Sequence, residues 1–273
     1  MAESSRRTDG SLSRAIELAR EALTDSPAGL LTDFDGTVSA IVEDPSAARL
    51  VIGAGDAFAA LAERLDVVAI ITGRAPLDAR RLTGVPGLLI AGNHGMEWLE
   101  PADAEPRPAP GTAAIARRLD EVLARVPDMA GVVIEHKGVS ASVHYRTAPD
   151  PDAARSAIVA SLGAVEDRGL RLNHGRMIVE VRPAGLGDKG TAARAIVERF
   201  GLRGVVVMGD DVTDLDMFRA VDELRRAGQL HGVIIGVGGA AGEVLPALID
   251  ASDVVLADPA EAATLLTELA GGS

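Results

Sequence analysis

Cysteine is absent from all 273 residues, which excludes disulfides and thiolate metal sites. The five histidines show no metal-site spacing either, so a metal would fall to oxygen ligands. One Trp, one Tyr and four Phe make up only 2% of the chain, so a ligand is expected to be held by hydrogen bonds and charge rather than by stacking. No stretch approaches the roughly 18 apolar residues needed to span a bilayer. Basic residues are outnumbered, 27 Lys and Arg against 40 Asp and Glu. The resulting net charge of -13 argues against nucleic acid or an anionic membrane as the main partner. An arginine pair, Arg6-Arg7, stands near the start with no apolar run behind it. No export signal is therefore read, and a cytoplasmic protein is expected. The oligomeric state is left open, with a monomer among the possibilities.

What is present is ordinary for a globular protein: 47% hydrophobic and 25% charged residues. Helical spacing runs over Ser13–Leu23, Ala54–Leu65 and Arg74–Leu82, and apolar strand-like runs cover Leu30–Asp35, Val67–Thr72 and Leu88–Ala91. This alternation predicts an α/β fold with a doubly wound, mostly parallel sheet. Four prolines between Pro101 and Pro110 then read as a linker. Helix-strand-strand occurs twice between Ala113 and Val181, which suggests a smaller α+β unit with an antiparallel sheet. Alternation resumes with a helix at Lys189–Phe200, a strand at Val205–Met208, a helix at Asp214–Ala227 and strands at Val233–Val237 and Val254–Leu256. The expected organisation is a catalytic core of residues 1–105 and 185–273, interrupted by an inserted cap of residues 106–184.

Sites in open α/β sheets form at the carboxyl ends of strands, and four polar segments fall there. Asp33-Phe34-Asp35-Gly36-Thr37 ends the first strand. With a period of two, Asp33 and Asp35 are expected to point the same way, and crowded carboxylates call for a shared cation or proton. Thr72-Gly73-Arg74 offers a hydroxyl and a glycine whose backbone can approach an anion. Asp188-Lys189-Gly190 sets an ammonium at a helix N-terminus, which favours phosphate, although Asp188 also reads as a plain helix cap. Gly209-Asp210-Asp211-Val212-Thr213-Asp214 is an acidic loop suited to a hard cation such as Mg²⁺.

In this order the four segments resemble the haloacid dehalogenase superfamily of aspartate-dependent phosphohydrolases. Within it, Ala91-Gly92-Asn93-His94-Gly95, Glu135-His136-Lys137-Gly138, Ser142-Val143-His144-Tyr145-Arg146 and Glu180-Val181-Arg182-Pro183 resemble trehalose-6-phosphate phosphatases. Phe34 stands where that family often has tyrosine, and Asn93 where serine is common.

The resemblance implies Mg²⁺-dependent hydrolysis of trehalose 6-phosphate to trehalose and phosphate, in trehalose biosynthesis. Asp33 would be the nucleophile and Asp35 the acid and then the base, its proton favoured by crowding against Asp33. Thr72, Gly73 and Lys189 would grip the phosphoryl oxygens. Mg²⁺ would be held by Asp33, Asp210 and the backbone carbonyl of Asp35, with Asp214 a further ligand or an anchor; a part for Asp211 is left open. Arg74, Asn93, His94, Glu135, Lys137, Arg146 and Glu180 would contact the sugar phosphate. Glu135 and Lys137 alternate on one strand face and are read as a fork for glucose hydroxyls, with a surface salt bridge as the alternative. His136 and His144 are expected on the opposite face of that sheet, and Trp98 in packing. The competing readings are a sucrose-phosphate or mannosyl-phosphoglycerate phosphatase, a phosphoacceptor switch, and a silent sugar-binding protein.

Overall fold

A computed structural model describes residues 2–42, 44–109, 112–136, 139–175, 177–184, 187–239 and 244–271. Two compact units emerge, one formed by Met1–Pro106 with Asp188–Ser273 and the other by Arg107–Gly187.

In the larger unit the strands stand in the order Val254–Leu256, His231–Val237, Gly204–Gly209, Ala28–Thr32, Val67–Ile71, Leu89–Gly92 and Glu97–Leu99. All neighbours are parallel except Glu97–Leu99, which runs antiparallel to Leu89–Gly92. The central strands are buried on both faces, which is why Val205-Val206-Val207-Met208 and Val67-Val68-Ala69-Ile70-Ile71 are unbroken apolar runs. Helices Ala2–Ala22, Ala54–Ala62 and Pro259–Gly271 pack together against the sheet, with Ala19, Phe58, Leu61, Leu265 and Leu266 in the shared core. Chain order runs outward in one direction from Ala28–Thr32 to Leu89–Gly92, and in the other from Gly204–Gly209 to Val254–Leu256. The order therefore reverses between Ala28–Thr32 and Gly204–Gly209, and a crevice opens at the carboxyl ends of those two strands.

The smaller unit is a four-stranded antiparallel sheet in the order Val133–His136, Ala141–His144, Ile178–Pro183, Leu170–Gly175. Helices Ala113–Leu123 and Pro151–Leu162 supply apolar side chains, including Leu119 and Ile158, to a core shared with Val143, Val179 and Val181 of the sheet. The second helix is capped by Asp150, whose carboxylate accepts from the Ala153 amide at 3.0 Å. The α/β class with a mostly parallel sheet and a separate antiparallel sheet is thus as the sequence pattern implies.

Several boundaries differ. The first helix begins at Ala2 rather than near Ser13, and the first strand stops at Thr32. Strand Glu97–Leu99 and the helices Pro246–Ala251 and Pro259–Gly271 carry no sequence expectation.

Candidate active site

Asp33 follows directly on strand Ala28–Thr32, and its amide donates to the Met208 carbonyl at 3.0 Å. This bond ties the first motif to the neighbouring strand that delivers the acidic loop. Its carboxylate is buried and meets Lys189, whose Nζ lies 2.8 Å from Asp33 Oδ1 and 2.7 Å from Asp214 Oδ1. Lys189 opens helix Lys189–Phe200, where Asp188 is the cap and accepts from the Thr191 amide at 2.6 Å. The ammonium therefore projects from a fixed helix start.

Asp214, fully buried, binds the whole loop through its other oxygen. Oδ2 accepts from the amides of Asp210 and Asp211, each at 3.0 Å. Thr37 donates to Asp210 Oδ1 at 2.7 Å. Single oxygens of Asp33, Asp210 and Asp214 lie within 4.8 Å of one another. One ammonium faces three carboxylates here. Burial pushes the Asp33 carboxyl up to about 8, with Lys189 pulling it down and Asp214 and Asp210 adding to the rise. Burial likewise pushes Asp210 up to about 6, opposed by the Thr37 hydroxyl. Burial works against the Lys189 charge, yet Asp33 and Asp214 hold it above its ordinary value.

This donor set fits a hard divalent cation. Asp33 and Asp210 each keep an oxygen that no described hydrogen bond uses. Both oxygens of Asp214 are engaged, which makes it the anchor of the lysine and the loop. Close backbone approach is required as well: a Cβ on Gly36 (φ +83°) would stand 2.0 Å from Asp210 Oδ2.

Asp35 does not join this cluster, contrary to the expectation that the two aspartates point the same way. The strand has already ended at Thr32, so strict alternation no longer governs residues 33 to 35. Asp35 instead receives a two-pronged bond from Arg74, Nε to Oδ2 at 2.6 Å and Nη2 to Oδ1 at 2.7 Å. The neighbours that crowd Asp33 are Asp210 and Asp214. The Asp35 side chain thus stands apart from the three clustered carboxylates, which leaves its main-chain carbonyl as the atom expected from sequence to face a metal.

Thr72 is buried, and its hydroxyl accepts from the Arg74 amide at 3.2 Å. Asn93 and His94 both have positive φ, 51° and 57°, and their amides bond to the Arg74 and Thr72 carbonyls at 2.8 Å each. The His94 ring covers Gly73, where a Cβ would come within 2.9 Å of it. Asn93 donates its side-chain amide to Glu97. Asp33, Asp35, Thr72, Gly73, Arg74, His94, Lys189 and Asp210 line one cleft of about 650 Å³, with the exposed Ile41 and Val42 at its edge.

Sequence reasoning did not single out Thr37 or Asp78. Thr37 holds Asp210, and Asp78 accepts from Arg74 Nη1 at 3.0 Å. The i,i+4 spacing of Arg74 and Asp78 was the available signal for the second. Trp98 is packing, buried with its indole N–H on the Gly95 carbonyl at 3.1 Å.

The remaining candidates belong to the smaller unit. Glu135 pairs in register with Ser142, Ser142 with Glu180, and Glu180 with Asn173, so four polar side chains stand in a row across one sheet face. His144 Nε2 lies 2.9 Å from Glu135 Oε2, so His144 is on this face and not the opposite one as expected. Residues two apart across a register pair share a face, which the sequence spacing alone does not reveal. Arg146 is exposed two residues beyond strand Ala141–His144. Lys137 lies outside the described residues.

Residues 31–238 match the family model described as trehalose-phosphatase. The chain is 37% identical over 238 residues to the trehalose-phosphate phosphatase of Mycobacterium avium, covering 82% of this chain and 58% of that protein. It is 42% identical over 210 residues to a Mycobacterium tuberculosis protein described as an uncharacterized glycosyl hydrolase, covering 73% of this chain but 16% of the relative. The chain thus spans a small part of that relative and a little over half of the mycobacterial phosphatase. Among solved structures, the trehalose-6-phosphate phosphatase of Aspergillus fumigatus aligns with TM-score 0.62 at 26% identity, over 94% of this chain and 98% of that one. The C-terminal domain of the Candida albicans enzyme shares the fold at TM-score 0.63 and 22% identity, over 95% and 97% of the two chains. With its cleft built from the four motif segments and three quarters of its length inside the family model, the chain belongs to the trehalose-phosphatase family.

Proposed function

We propose that the chain hydrolyses trehalose 6-phosphate to trehalose and phosphate. The observation that carries this reading is the buried Asp33–Lys189–Asp214 chain beside Asp210, at the switch point of a family member's sheet. The ammonium 2.8 Å from Asp33 opposes the rise that burial imposes on this carboxyl and so favours its nucleophilic carboxylate form, and the same ammonium suits a phosphoryl oxygen. Asp33 attacks phosphorus, the bond from phosphorus to the sugar oxygen breaks, and that oxygen takes a proton from Asp35. Water then attacks the aspartyl-phosphate, gives its proton to Asp35, and returns Asp33 as a carboxylate. Thr72, the Gly73 backbone and Lys189 orient the phosphoryl group. Asp33 and Asp210 would hold Mg²⁺, which would supply Lewis-acid neutralisation of the phosphoryl charge; any share taken by Asp35 would come from its main-chain carbonyl. The smaller unit reads the sugar through Glu135, Lys137, Arg146 and Glu180. The in-register row of carboxylates, hydroxyl and amide supports this, because fixed polar groups recognise sugar hydroxyls strongly.

Phosphate release across trehalose 6-phosphate, sucrose 6-phosphate, mannosyl-3-phosphoglycerate and glucose 6-phosphate, with Mg²⁺ and with chelator, tests the reading. Trehalose 6-phosphate with Mg²⁺ is the expected best case. Preference for another ester would reassign the substrate and leave the chemistry.

A further inference from the structure

Arg74 is fixed from two sides. Its backbone is pinned by the Thr72 hydroxyl at 3.2 Å and by the Asn93 amide at 2.8 Å. Its guanidinium, mostly buried, lies 5.5 Å from the Phe34 ring centre and spends Nε and Nη2 on Asp35. The remaining Nη1 goes to Asp78 at 3.0 Å, and Asp78 in turn takes Arg81 Nη2 at 2.7 Å. Asp78 sits in the first turn of helix Pro76–Thr83, where the helix dipole favours a carboxylate. A planar guanidinium with both ends occupied has one orientation left, and that orientation sets where the Asp35 carboxylate stands.

We propose that Asp78 is a positioning residue that orients Arg74 and, through it, the carboxylate of Asp35. The claim rests on the reading of Asp35 as the acid of a phosphatase. Asp78 touches none of the reacting atoms; it acts only through the arginine.

The test is kcat/KM, which covers the steps up to leaving-group departure and excludes hydrolysis of the aspartyl-phosphate. The full chain is compared with Asp78→Ala, Asp78→Glu, Asp35→Asn and the Asp78→Ala/Asp35→Asn pair, each checked for folding by circular dichroism. A sugar alkoxide needs a proton to leave; p-nitrophenolate does not. For Asp78→Ala, kcat/KM on trehalose 6-phosphate is expected to fall roughly 10-fold to 100-fold, within the ~10²–10⁴-fold that acid catalysis supplies. On p-nitrophenyl phosphate the fall is expected to stay under about twofold, since no proton transfer is needed there. Asp78→Glu recovers part of the loss, and Asp78→Ala adds nothing in the Asp35→Asn background, because residues acting as a unit are not additive. Equal losses on both esters, or a full additional loss in the double variant, would overturn the proposal. Should the chain cleave aryl phosphates and not trehalose 6-phosphate, the substrate reading fails by itself. Phenyl phosphate then serves as the poor leaving group and decides the role of Asp78. Absence of turnover on every ester would overturn both.

Discussion

Asp214 has no exposed surface, and its two oxygens hold an ammonium and two amides at once. Asp214→Ala would leave Lys189 paired with Asp33 alone and two amides without their acceptor, so a loss of at least about 1–3 kcal/mol is expected from the denaturation midpoint. The raised carboxyls have a definite pH signature. Asp33 and Asp210, pushed from 3.8 to about 8 and about 6, hold protons more tightly folded than unfolded. Without metal, their contribution to stability is full below pH 3.8 and is lost as pH rises through about 6 and then about 8. Mg²⁺ bound at these carboxylates would have to displace those protons, so its stabilising effect is expected to grow over the same range. Thermal melts with and without Mg²⁺ are expected to coincide below pH 6 and to separate by several degrees above pH 8, as ~2.7 kcal/mol of binding energy at a hundredfold excess over Kd would give. An equal Mg²⁺ shift at both ends would contradict this. At this scale the residue types and their order were legible in the sequence, but partners were not. That Asp35 turns to Arg74 depends on where the strand stops, and hydrophobic pattern leaves strand ends loose by a few residues.

The elements explain why these side chains meet. Strands Ala28–Thr32 and Gly204–Gly209 are neighbours, so the loops that follow them must be neighbours too. The Gly36 turn lets Asp210 stand against the backbone, at a positive φ that a side chain resists by roughly 1–2 kcal/mol. Gly36→Ala is expected to leave the far-ultraviolet circular dichroism intact and to abolish the Mg²⁺-dependent rise in melting temperature. An unchanged Mg²⁺ response would mean that Asp210 is not held where the loop places it. Apolar runs such as Val205–Met208 marked the buried parallel strands, because only a strand covered on both faces can be apolar throughout. Glu97–Leu99 escaped notice for the opposite reason: three residues are too few to establish a period, and pairing with Leu89–Gly92 makes the strand. Pro259–Gly271 was missed although its core contacts are extensive, since its Ala-rich face carries a weak apolar contrast.

Across the whole molecule, the antiparallel sheet of the smaller unit is the part whose chemistry depends most on register. The row Glu135, Ser142, Glu180 and Asn173 comes from four strands, and no linear motif displays it. The alternation of strands and helices broke at the Pro-rich segment, which made the second unit visible in the sequence, while the pairing order inside it was not. Glu180→Ala is expected to lower kcat/KM for trehalose 6-phosphate by at least about tenfold and to leave p-nitrophenyl phosphate within about twofold, since a lost sugar hydrogen bond leaves a polar partner unpaired. Equal losses on both esters would remove this unit from sugar recognition. Turnover of the phosphate ester is expected to depend above all on one side chain, Asp33. Phosphate release from trehalose 6-phosphate in Mg²⁺ is to be measured side by side for the chain and its Asp33→Asn form. Mg²⁺-dependent release by the chain and none by the variant is the expected result. Release by Asp33→Asn at the rate of the unaltered chain would contradict the account.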